Sequence, residues 1–362
     1  MTHDPNTLSR RSALGLLAAP AVLSAPVHSQ SLRRVSFTLP WVPEGPNLIA
    51  YVARANNFWA EEGLDVEVSR GTGSTAAAQA IAAGRFDYGM AAASAGLQMA
   101  ARGLPIVQVA SISYDVMMAL VVRADGPIRQ PSDLNGKRLA SVATSGDYPF
   151  LQPFAAASGI DLARVEASTV DNNVRQRVLV EGQVDAITGF ATSIVPVYTS
   201  QGFNTRSFLF SAAGLSFYGN TIMTQRARLT SEPQVARGIV TGLMKAQKFM
   251  LLNPDEALRI FARQVPESAL SRTAQQQARV GLGMARLAAL PERVWNEPVG
   301  FSEPAEFTRM LDLTMRYLAT PGDTRPALEA VVTNELLGGV TMTRAEWQRA
   351  AELASEFRPL VG

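Results

Sequence analysis

The chain has 362 residues, 47% hydrophobic and 18% charged, enough apolar surface for one large or two medium globular domains. It contains no cysteine, and its only two histidines, His3 and His28, fall within the first 30 residues. From residue 31 onward it therefore offers no disulfide, thiol nucleophile or imidazole base, and few of the usual ligands of zinc, copper or haem. Removing Arg10, Arg11 and Asp4 from the 33 basic and 31 acidic residues leaves 31 and 30, and with no basic stripe nucleic acid is not an expected partner.

The first segment is Ser9-Arg10-Arg11-Ser12, then "ALGLLAAPAVLSA", then small residues ending "VHSQS". This pattern reads as a cleaved export signal over residues 1–30, with the arginine pair pointing to the twin-arginine route. A membrane anchor is the other reading. The apolar run is shorter than the roughly 20 residues a spanning helix needs, and Pro20 interrupts it.

From residue 33 strand and helix alternate. "RRVSFTLPW" predicts a strand, "NLIAYVARANNFWAEEG" an amphipathic helix, "LDVEVSR" a strand, "GTGST" a tight loop and "AAAQAIAAG" a helix. "FDYGMA", a helix over "SAGLQMAARG" and the strand "PIVQVASIS" complete a first unit, as expected for a largely parallel sheet between helices. A second unit opens at "MMALVVRADG" and repeats the alternation through "KRLASVA", a helix from Asp147 to Ala157, "RVEASTV", "VRQRVLVEG", "VDAITGF", a further helix and "RSFLFS". It ends near "SFYGNTIMT", and from residue 231 the chain reads as amphipathic packing helices.

The two units share a punctuation mark: Gly84-Arg85-Phe86-Asp87 and Gly182-Gln183-Val184-Asp185. Each ends a helix at glycine, where a left-handed residue costs least, and drops into a buried strand. The next helix then starts at Ser94 or Thr192, at the sheet edge where open α/β folds bind ligands.

Around the first copy, Trp41-Val42-Pro43, Tyr51-Val52-Ala53, Glu61-Glu62-Gly63-Leu64-Asp65-Val66-Glu67, Gly71-Thr72-Gly73-Ser74 and Ala101-Arg102-Gly103-Leu104-Pro105 follow in order. With "PSDLNGKRLA" and "SFYGNTIMT", this text resembles the periplasmic solute-binding proteins of the nitrate/sulfonate/taurine and thiamine-precursor uptake group over roughly residues 33–260. The resemblance implies an α/β, two-lobed periplasmic binding protein fold of type II, with crossing strands at 116–123 and 216–224. It implies lobe 1 at 31–118, lobe 2 at 119–218, and a return to lobe 1 over 219–362. It also implies a monomer that is not an enzyme and needs no cofactor or metal. Its partners would be a small-molecule solute and an inner-membrane ABC permease with its cytoplasmic ATPase.

Each candidate contact has a structural alternative. Trp41 suits an aromatic wall or the core, as does Tyr51; Asn47 suits the cleft or a helix cap. Ser74 and Thr75 sit on a glycine-rich loop at a helix start, able to bind an oxygen or simply to cap. Ser94 and Thr192 occupy equivalent places in the repeat. Thr144, Ser145 and Tyr148 lie between strand and helix in the second unit, as does Asn172, whose neighbour Asn173 is an equally good cap. Phe190 reads as cleft or core. Tyr218 and Asn220 fall in one crossing segment, and Tyr114 and Asp115 just before the other. Asp115 is the one charged candidate, and no Lys or Arg falls in a cleft loop. Thiamine-precursor binders usually carry a glutamate after the second copy's strand, and "GFATS" has none, which favours an uncharged or weakly polar organic solute.

The residues leave other functions open. Gly71-Thr72-Gly73-Ser74-Thr75-Ala76 matches the dinucleotide fingerprint G-x-G-x-x-A, as in an exported NAD-dependent oxidoreductase, but Asp87 begins the next strand rather than ending it. A fungal-type thiamine pyrimidine synthase would need the missing cysteines and histidine. A sensor lobe would read the same as a transport component.

Overall fold

The computed structural model describes residues 31–361, so the export signal read at 1–30 lies outside the described residues. The first unit runs β1 (Arg33–Thr38), α1 (Leu48–Ala55), β2 (Leu64–Ser69), α2 (Ser74–Ala82), β3 (Tyr88–Ala92), α3 (Ala93–Ala101) and β4 (Ile106–Ser111). The second runs β5 (Met118–Arg123), β6 (Arg138–Ser141), α4 (Leu151–Ala157), β7 (Glu166–Thr169), α5 (Asn172–Val180), β8 (Ala186–Phe190), α6 (Ala191–Ser200) and β9 (Thr205–Leu209). Then come β10 (Asn220–Gln225), α7 (Ala227–Ser231), α8 (Pro233–Leu252), α9 (Pro254–Gln264) and α10 (Arg272–Ala288). The chain closes with α11 (Pro304–Tyr317), α12 (Leu328–Val331) and α13 (Arg344–Ala354).

Two five-stranded sheets result, in the orders β2-β1-β3-β10-β4 and β7-β6-β8-β5-β9. Position for position they match, with an antiparallel strand fourth in each. That strand is the crossing one: β5 follows β4 yet pairs in the second sheet, and β10 follows β9 yet pairs in the first. The architecture is α/β and two-lobed, and each sheet is mixed rather than wholly parallel.

The repeated punctuation has the same physical cause in both lobes. Gly84 and Gly182 take φ of 73° and 69°, in the left-handed region that a side chain disfavours. Three residues on, each aspartate bolts its strand to the neighbour. Asp87 Oδ2 accepts from the Ser36 backbone N–H at 2.8 Å, and Asp185 Oδ2 from that of Arg138 at 2.9 Å. A cation completes each bolt, Arg228 at 2.5 Å from Asp87 and Arg138 at 3.0 Å from Asp185.

One helix departs from the expectation that the C-terminal helices return to the first lobe. α10 packs on α6 of the second lobe as well as on the Gly45–Asn47 turn of the first. Gly281 makes this possible and Gly283 admits Phe357 of the C-terminal turn, although glycine inside a helix costs about 1 kcal/mol against alanine. A Cβ on Gly281 would lie 3.3 Å from Gly45 and 3.6 Å from Pro196, and one on Gly283 would strike Phe357 at 2.3 Å. Val280, Met284 and Ala288 of this helix share a buried cluster with Ala119, Ile187 and Ile194 of the second lobe.

Candidate functional site

After β1 the chain turns sharply and is zipped to the loop after β2. Gly71 N–H donates to the Trp41 carbonyl at 3.0 Å and Gly73 N–H to the Pro40 carbonyl at 2.9 Å. A Cβ on Gly71 would sit 2.0 Å from the Leu39 carbonyl oxygen, so the first glycine of the loop is required by β1 itself. A Cβ on Gly73 would sit 2.5 Å from the Thr144 carbonyl, so the second is required where the lobes meet. The fingerprint glycines are thus explained by the protein's own backbone. They need no pyrophosphate.

Between the two sheets lies a cleft whose empty space, open mouth included, is about 850 Å³. The first lobe contributes Trp41, Glu44, Asn47 and Ser74, and the crossing segments add Ser113, Asp115 and Asn220. The second lobe contributes Ser145, Gly146, Arg175, Phe190, Thr192 and Ser193, and α8 supplies Gln247.

Several of these polar groups are occupied by the protein. Asn47 donates to the Val42 carbonyl at 3.0 Å and accepts from Asn220 at 3.3 Å, joining the first loop to the returning strand. Ser74 Oγ accepts from Ala92 N–H at 3.2 Å. Asp115 Oδ1 accepts from Met117 N–H at 2.7 Å and holds the turn in which Met117 adopts φ of 48°, strained for a non-glycine residue. Burial raises the Asp115 pKa, opposed by that N–H and by Arg293.

Two charged groups face each other across the cleft. Glu44 Oε1 accepts from Ser193 Oγ at 2.5 Å, a bond between opposite lobes. Burial pushes the Glu44 carboxyl up to about 7, held back by the Ser193 hydrogen bond and by Arg175. Arg175 is 3% exposed, and burial lowers its pKa against the pull of Asp147, Tyr198 and Glu44. Its guanidinium lies over the strand where residue 189 is glycine; a Cβ there would be 2.6 Å from Nη1.

Residues 47–257 match the family model described as NMT1/THI5 like, more than half of the chain. The chain belongs to the NMT1/THI5-like family. The chain is 26% identical to the formylaminopyrimidine-binding protein of Halalkalibacterium halodurans, over 64% of this chain and 70% of that one. It is 24% identical to the riboflavin-binding protein RibY of Chloroflexus aurantiacus, over 72% and 74%. A 4-amino-5-hydroxymethyl-2-methylpyrimidine phosphate synthase of Saccharomyces cerevisiae is 25% identical over a shorter part, 43% of this chain and 46% of that one. Among solved structures, the alkanesulfonate-binding protein SsuA of Xanthomonas axonopodis pv. citri shares the fold, with a TM-score of 0.60 and 17% identity over 84% of this chain and 99% of that one.

In this NMT1/THI5-like chain the cleft gathers Trp41, Asn47, Ser74, Asp115, Ser145, Phe190, Thr192 and Asn220 of the residues singled out from sequence. Thr75, Ser94, Tyr114, Thr144, Tyr148, Asn172 and Tyr218 do not line it. Two of these, Tyr114 and Tyr218, are turned into the protein by their own packing, while their neighbours Ser113, Asp115, Gly219 and Asn220 line the cleft. The two tyrosines pack edge to face, 5.0 Å between centroids, and Tyr218 donates to Glu303 at 2.5 Å. Thr144 contributes its carbonyl to the lobe contact, Tyr148 is exposed, and Ser94 is buried inside α3. Tyr51 packs on Phe261 in the first lobe's core.

Glu44, Arg175, Ser193 and Gln247 were missed, and two expectations change with them. Asp115 is not the one charged candidate, and a cation does reach the cleft, from a helix rather than a loop. Arg175 stands one turn after Asn172 on α5, beside the buried Val178 and Leu179. Gln247 stands between Leu243 and Met250 on the apolar face of α8. A lone polar residue on an apolar face was the available signal in both. Glu44 reaches Ser193, the last residue of "GFATS", from the opposite lobe.

Proposed function

We propose that this chain is the extracytoplasmic solute-binding component of an ABC importer. It captures a small organic solute, heteroaromatic and pyrimidine-like or sulfonate-like, between its lobes and hands it to an inner-membrane permease driven by a cytoplasmic ATPase. The lobes on this reading are 31–118 with the 219–362 return, and 119–218, exported as a monomer behind a cleaved twin-arginine leader at 1–30. No helix among the described residues is long and apolar enough to cross a membrane. The observation that carries the reading is the cleft itself. It lies at the junction of two equivalent sheets, with Trp41 on one lobe, Phe190 on the other, and charges contributed by both.

The reading is non-enzymatic. A hinge closing over a solute needs no acid–base pair, and from residue 31 the chain has neither histidine nor cysteine. Binding to the mature protein is tested by a thermal-shift screen of pyrimidines, flavins, sulfonates and nitrate, confirmed by calorimetry. Trp41→Ala is expected to weaken any hit at least about tenfold, about 1.4 kcal/mol, with the melting temperature of the unliganded protein kept. A melting point raised by NAD alone would put the oxidoreductase in its place.

A further inference from the structure

Most polar groups lining the cleft are satisfied by the protein, and two deeply buried ones are not. Gln247 is 3% exposed; its Nε2 donates to the Ile112 carbonyl at 3.0 Å, while its Oε1 has no partner among the described residues. Arg175 makes one long bond, Nη1 to the Thr188 carbonyl at 3.4 Å, and its Nε has no partner. Buried polar atoms are rarely left unsatisfied, because each costs about 1–3 kcal/mol. Both residues line the cleft, Gln247 from α8 and Arg175 from α5, and an unpartnered acceptor with an unpartnered donor in one cleft describes the complement of a molecule.

That molecule must donate to Gln247 and accept from Arg175. Glu44 adds a third constraint, since Ser193 occupies its Oε1 and the residue lines the same cleft as Arg175. A simple anion would meet Arg175 favourably but would leave Gln247 unpaired and stand beside a carboxylate. A simple cation would suit Glu44 and oppose Arg175. Trp41 and Phe190 favour a flat body.

We propose that the cleft selects a planar oxo-heterocycle, a lactam or cyclic ureide, whose carbonyl oxygen accepts from Arg175 and whose N–H groups donate to Gln247 Oε1 and to Glu44. Selectivity then comes from hydrogen-bond pairing. An analogue lacking the N–H leaves a buried acceptor empty and is rejected more strongly than its size would suggest. The inference rests on the solute-binding reading above and narrows it to one chemical class.

The test is calorimetry on the full mature chain with lumazine (a pteridine dione) and 1,3-dimethyllumazine, against nicotinate and methanesulfonate. Lumazine is expected to bind at least about tenfold more tightly than its dimethyl analogue. Gln247→Met, which keeps volume and removes the orphan acceptor, should bring that ratio below about threefold in the folded variant, with a lowered melting temperature because the Ile112 carbonyl loses its donor. Arg175→Met should weaken both lumazines; Arg175→Lys, which keeps the charge and loses the planar fork, serves if the methionine variant does not fold. Equal binding of the two lumazines, or none of either, overturns the inference. So does Arg175-dependent binding of nicotinate or methanesulfonate in their stead, which leaves the solute-binding reading standing. That reading fails separately, if the broad screen finds no Trp41-dependent solute at all.

Discussion

The two halves of the molecule use one scaffold to different ends. Up to the aspartates they match: left-handed glycine, bolt to the neighbouring strand, buried strand. Past the strands they part. The first copy brings only the small Ala92 to the cleft and continues through Ala93 and Ser94 into the buried interior of α3. The second continues through Phe190, Thr192 and Ser193, which line the cleft, and one of them reaches across to Glu44. The repeat therefore encodes the frame, and the residues just after it encode the site.

If the frame is common to both lobes, breaking either bolt should cost the same. Asp87→Ala and Asp185→Ala are each expected to lower stability by about 2–3 kcal/mol, since each strands a strand N–H and a partner cation. Denaturant unfolding of both variants checks this. A gap of 2 kcal/mol or more between them would mean that the copies are not equivalent.

The interlobe contact can be isolated through pH. Glu44 has its folded pKa raised from 4.5 to about 7. The folded state therefore holds its proton more tightly than the unfolded one, and the associated stability is present below about 4.5 and lost as pH rises through about 7. The shift corresponds to about 2 kcal/mol after allowance for the side chain's partial solvent contact. Glu44→Gln, which keeps an acceptor for Ser193, should gain about that much relative to wild type between pH 4.5 and 7.5. A constant difference across that range would remove Glu44 from the pH response.

The divergent ends should show the smallest effect, and in binding alone. Phe190→Ala is expected to weaken solute binding about tenfold, while Ser94→Ala, the first lobe's counterpart of Thr192, changes it less than about twofold. Equal losses would place the site in both copies.

The alternation of strand and helix was legible because period-two and period-3.6 patterns are local, and so was the doubled aspartate. What the local pattern could not give was direction. Tyr114 and Asp115 are neighbours, as are Thr144 and Ser145, and only the built turn decides which one faces the cleft. Arg175, Gln247 and Glu44 were hidden for a different reason. Each belongs to a helix or loop whose ordinary reading is packing or solvation, and each acquires its place from residues far off in the chain, as Glu44 does from Ser193, 149 residues away, and Gln247 from Ile112, 135 residues away. The glycines of α10 were likewise explicable only once Gly45 and Phe357 stood against them.

The most direct test is to equilibrate the mature protein with its tightest-binding solute from the screen, remove free solute, denature the complex and weigh what is released. The account predicts one molecule per chain, unchanged in mass, and none retained by a Trp41→Ala/Phe190→Ala double variant that folds. Release of a chemically altered compound, or full retention by that variant, would contradict it.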